Sequence, residues 1–75
     1  MRQIYEVASD IQREWKKVNY AAEPYLRAMH SLNDKNSTFG YDSAKSIVNY
    51  FLSNASQFKG EKARDLKNEL KAIIK

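Results

Sequence analysis

Four short stretches of the chain place their apolar residues three and four positions apart. Ile4, Val7, Ile11, Trp15 and Val18 form the first set, and Tyr25, Leu26, Met29 and Leu32 the second. Ala44, Ile47, Val48, Phe51, Leu52 and Ala55 form the third, and Ala63, Leu66, Leu70, Ile73 and Ile74 the fourth. Such steps keep side chains on one face of a helix with 3.6 residues per turn. Four one-sided helices must bury their stripes against one another. The expected fold is therefore all-α, a compact bundle of four short helices over about 3–18, 23–32, 42–55 and 61–74, in one domain covering residues 1–75. Ile11, Trp15, Leu26, Met29, Ile47, Phe51, Leu66 and Leu70 are expected at its centre.

Local chemistry sets the expected boundaries. In the first helix Glu6, Asp10 and Glu14 precede or accompany Arg13, Lys16 and Lys17, an order of acid before base that suits the helix dipole. Asn19 is expected to break this helix. Pro24 is tolerated only in a first turn, so the second helix is expected to start near Glu23; the alternative caps it at Asn19 and kinks it at Pro24. Asn33 to Tyr41 reads as the one real loop, rich in turn formers and carrying Gly40. Asp42 or Ser43 then caps the third helix. Gln57 to Gly60 lead into the fourth, whose first turn holds Glu61.

Length and composition narrow the classes. A chain of 75 residues has room for one domain at most and buries only about 60–65% of its unfolded surface, so good helix packing or self-association must help. With no cysteine there are no disulfides and no thiolate–zinc site. This agrees with a cytoplasmic location, which is the expected one. No apolar run approaches the ~18 residues of a membrane span. The opening Met1-Arg2-Gln3-Ile4-Tyr5-Glu6 lacks an apolar core and is not expected to be a signal peptide.

Nothing in the chain reads as a catalytic constellation. His30 is the sole histidine, with Ser31 beside it and Asp34 a turn later. Adjacent residues on a helix diverge by ~100°, so Ser31 cannot face His30 as a nucleophile faces its base. A partly exposed histidine near a helix end is the expected role. Without cysteine or a second histidine only carboxylates remain as metal ligands, and their spacing matches no calcium loop. Gly40 and Gly60 stand far apart, so no phosphate loop is present. The expectation is a protein that is not an enzyme and carries no metal or cofactor.

Charge is the more informative signal. The net charge is +4, and between Lys59 and Lys75 six basic residues meet three acidic ones. Arg64, Lys67, Lys71 and Lys75 follow one another at steps of three and four and form a basic stripe, apart from the row Glu61, Asp65, Glu69. Like charges in a row cost the helix a little. The stripe reads as a solvated face, a nucleic-acid contact or a contact for an acidic protein, with Lys16 and Lys17 as additional basic residues. Gly60 before the fourth helix suggests a helix-turn-helix, but the connection from Ala55 is long for one, and Asn68 is the only base-reading side chain on that helix. Tyr20, Tyr41 and Tyr50 are candidate interface aromatics; Phe39 and Phe58 also fall in connections, where such residues often cover the core.

Several strings resemble small uncharacterised helical proteins of bacteriophages and bacterial mobile elements: Ile4-Tyr5-Glu6, Pro24-Tyr25-Leu26 with Ala28-Met29, Asp42-Ser43-Ala44, Tyr50 to Ala55, Gly60-Glu61, and Lys67 with Glu69-Leu70-Lys71. They span nearly the whole chain and consist of packing and capping residues. The resemblance implies a cytoplasmic accessory protein without an assigned activity. The function expected from all this is recognition of another macromolecule, a protein partner first, with nucleic acid bound by the basic face of the last helix as the alternative.

Overall fold

The computed structural model describes residues 1–75. The elements in order are α1 (Ile4–Glu14), α2 (Glu23–Met29), β1 (Thr38–Phe39), β2 (Asp42–Ser43), α3 (Ala44–Ser53) and α4 (Glu61–Ile73). All four expected helices form, and all of them stop short of the expected ends.

α1 ends at Glu14 because Trp15 takes an extended conformation at φ −101°, ψ 93°. That bend swings the indole onto Phe58, with ring centroids 5.0 Å apart, and against the edge of Phe51 at 6.1 Å. Val18 is left half-buried outside the helix. α2 starts at Glu23 with Pro24 in its first turn, as expected, and ends at Met29. Beyond it the chain tightens: the amides of His30, Ser31 and Leu32 donate to carbonyls three residues back, the geometry of a 3₁₀ turn. α3 is capped by Ser43, whose Oγ accepts from the Ser46 amide at 3.1 Å.

The stretch 33–41 is more ordered than a projecting loop. Asp34 Oδ1 accepts from the Asn36 amide at 2.9 Å, and Ser37 Oγ accepts from the amides of Asn33 and Asp34. The carbonyls of Asn33 and Leu32 accept from Ile4 and Tyr5 at 2.7 and 3.0 Å, filling two of the amides that a helix start leaves free. A two-stranded antiparallel hairpin follows, pairing Thr38 with Ser43 and Phe39 with Asp42. Its turn is Gly40-Tyr41. Gly40 stands at φ +64° while no non-glycine residue has positive φ, the combination of a type II′ turn. This hairpin is the one element absent from the four-helix expectation.

α1 packs along α4, and α2 packs on α3. Arg2, just before α1, reaches Glu69 in α4, while Trp15, just after α1, stacks on Phe58, just before α4. The two helices therefore run antiparallel. One cluster of 21 buried residues fills the interior, all of them apolar. It holds every residue expected at the centre and adds Ala8, Ala22, Ala28 and Phe58, which lie off the stripes.

Candidate interaction surfaces

The first surface is an open depression of about 560 Å³ at the start of α4. Gly60 turns the chain into the helix at φ 110°, and Phe58, clamped on Trp15, pins the connection beneath it. Lys59, Glu61, Arg64, Lys67 and Lys71 surround this floor. Arg64, Lys67 and Lys71 are thus brought together as the spacing predicts. None of these cations takes part in an ion pair.

Lys67 differs from its neighbours. Its Nζ donates to the Ala55 carbonyl at 2.7 Å and lies 5.8 Å from the centre of the Phe58 ring. Burial, together with the nearby charges of Lys71 and Lys59, pushes its pKa below that of an ordinary lysine. Lys67 does not simply point away from the apolar side of α4. It ties that helix to the end of the α3–α4 connection, because its long apolar stem can lie along the core while the ammonium reaches a carbonyl.

Lys75 leaves the group. It lies by a second hollow with Met1, Arg2 and Lys35, and its carbonyl accepts from Lys35 Nζ at 3.3 Å. Lys16 and Lys17 are exposed in the bend after α1. They follow Trp15, so they belong to the same end of the molecule as Phe58 and Lys59. Of the basic stripe read from the sequence, Arg64, Lys67 and Lys71 therefore share one depression, and Lys75, beyond the end of α4, lies outside it.

The acidic row on α4 is split as well. Glu69 accepts two hydrogen bonds from Arg2, both at 2.8 Å, and Arg2 also donates to Asp10 at 2.7 Å. Arg13 adds a further contact to Asp10. Arg2 holds the carboxyls of both Asp10 and Glu69 below the usual range. This bridge joins the chain start, α1 and α4. Asp10–Arg13 is visible as an i, i+3 pair; the links through Arg2 span 8 and 67 residues, and no local pattern announces them.

The tyrosines form the second surface. Tyr20 is 90% exposed, Tyr41 fully exposed at the hairpin tip, and Tyr50 54% exposed. None of the three rings stacks on another of them. Tyr50, near the end of α3, stacks on Tyr25 of α2 with centroids 5.5 Å apart, whereas Tyr41 precedes α3 by three residues. Six residues of helix between Ala44 and Tyr50 separate those ends by ~9 Å.

His30 caps the end of α2 and is exposed. Asp34 turns its carboxylate to the Asn36 amide instead of the imidazole. No group of three or more His, Cys, Asp or Glu residues converges, and no helix is long and apolar enough to cross a membrane. Comparison with family models, with curated proteins and with solved structures gives no match to this chain.

Proposed function

We propose that the protein is a small non-enzymatic interaction protein that acts by recognising a partner protein. The observation that carries this reading is the partition of its aromatics. Trp15, Phe51 and Phe58 are spent on the core, whereas Tyr20, Tyr41 and Tyr50 stand at the surface. An exposed tyrosine offers a broad, stiff, amphipathic contact, and such residues are enriched among those that dominate interfaces. The resemblance to small proteins of bacteriophages and mobile elements supports a cytoplasmic accessory role toward a host or element-encoded partner.

The test is affinity capture by the full chain from bacterial lysate, with and without nuclease, beside variants Tyr20→Ser, Tyr41→Ser and Tyr50→Ser. A protein captured after nuclease treatment, and reduced by at least one tyrosine variant, is the expected result. Capture that disappears with nuclease sinks this reading in favour of the second one.

That second reading is a nucleic-acid-binding module. The convergence of Lys59, Arg64, Lys67 and Lys71 on one depression favours it, since phosphate contact needs only lysine and arginine. Binding of duplex DNA by these side chains would fall by about 0.9 log units per log unit of salt for each phosphate neutralised.

A further inference from the structure

We propose that the depression at the start of α4 is the docking surface for a carboxylate-rich segment of the partner protein. This inference rests on the protein-recognition reading and names the partner's chemistry.

Four cations line the depression beside one carboxylate, Glu61, and none of the four is ion-paired. Arg2, Arg13 and Arg27 each hold a carboxylate, and Arg64 is the one arginine that does not. Lys59 and Lys71 are likewise without partners, and Lys67 has only the Ala55 carbonyl. An ammonium has three donors, so two on Lys67 have no protein acceptor. Lys71 stands one turn from Lys67, where like charges repel. The pKa of Lys67 is lowered first by its burial and then by the charges of Lys71 and Lys59. An incoming carboxylate would relieve the repulsion and accept charge-assisted bonds from these cations.

Three observations favour protein carboxylates over a nucleic-acid backbone. Glu61 lines the same depression, and Asp65 is exposed on the same helix. A duplex carries a charge every ~1.7 Å, so it would press phosphates onto these acids. A protein segment can space its carboxylates and set a neutral or basic residue opposite Glu61. Next, the one aromatic ring in the depression, Phe58, is buried and stacked on Trp15, so the depression itself offers no open ring on which bases could stack. Finally, Arg64, Lys67 and Lys71 span ~10 Å along α4 at steps of three and four. Carboxylates spread over that length of a partner segment would meet all three.

The experiment is an NMR titration of the isotopically labelled full chain at ~50 mM salt, where screening is modest. The probes are poly-L-glutamate and a short DNA duplex. R64E/K71E is the test variant, and Lys67 is left in place because it holds the Ala55 carbonyl. K35E/K45E controls for net charge, and thermal melts show that both variants are folded. Poly-L-glutamate should shift amides between Lys59 and Lys71, and R64E/K71E should weaken binding about tenfold or more while K35E/K45E has the smaller effect. Shifts spread over every lysine, equal loss in both variants, no binding, or tighter binding of the duplex at the same residues would each overturn the proposal. Poly-L-glutamate failing while nuclease-resistant capture persists would overturn this inference and leave the protein-recognition reading standing.

Discussion

Trp15 shows how one side chain can decide a helix end. Nothing next to it in sequence is a strong helix breaker, yet α1 stops there so that the indole can stack on Phe58. Lys67 adds a cation near the same Phe58 ring. Trp15 is 7% and Phe58 4% exposed, so each behaves as a core residue although one ends a helix and the other lies in a connection. Trp15→Ala or Phe58→Ala should cost ~3–5 kcal/mol if the gap does not collapse, a large share of the ~5–15 kcal/mol of a typical domain. Thermal or urea unfolding followed by circular dichroism measures this. A near-wild-type Phe58→Ala melt would show that the ring is not what pins the connection.

At the scale of elements, the helix starts were better readable than the helix ends. Pro24 and Ser43 act through chemistry contained in one turn, a fixed φ and a side-chain cap, and both fall where expected. The ends at Glu14 and Met29 follow from where Trp15 and Leu32 must go to be buried, which no local signal carries. The hairpin did have a signal, Gly40-Tyr41 between Thr38-Phe39 and Asp42-Ser43, but two-residue strands are too short to show alternation. Gly60 is a backbone element of the same kind. At φ 110°, ψ 176° it occupies a region open essentially to glycine, and a Cβ there would meet nothing within 4 Å. Gly60→Ala should therefore destabilise by ~1–3 kcal/mol from backbone strain alone. Replacement by D-alanine in a semisynthetic chain should be nearly neutral. Equal losses from both alanines would point to a steric cause instead.

At the scale of the whole molecule, Arg2 ties the chain start to α1 and α4 at once. Asp10 and Glu69 both titrate below their unfolded values because of it. Their contribution is therefore complete above pH ~5, past the range of free carboxylates, and is lost as pH falls through the lowered folded values. These side chains are 26–39% exposed, so the bridge is worth about 1 kcal/mol in all. Arg2→Ala should lower stability by that amount at pH 7, and the gap to wild type should narrow below pH ~4. Urea midpoints measured from pH 7 to pH 3 decide it; a gap constant across that range would mean that Arg2 acts through packing.

The sequence by itself determined the class and the content of the fold. Four apolar stripes require four packed helices, and the eight residues expected at the centre are all in the core, because periodicity is a property of the chain that any burial must respect. It also placed Arg64, Lys67 and Lys71 on one helical face and left Tyr20, Tyr41 and Tyr50 off the stripes. Only the tertiary structure decided which charges remain free. It took Glu69 into the bridge with Arg2, gave Lys67 a carbonyl, and set Lys75 beside Met1, Arg2 and Lys35 in a second hollow. It also drew Phe58 into the core and stacked Tyr50 on Tyr25. Those outcomes depend on antiparallel packing between segments far apart in the chain, where a contact is set by the whole fold and leaves no periodic trace in sequence.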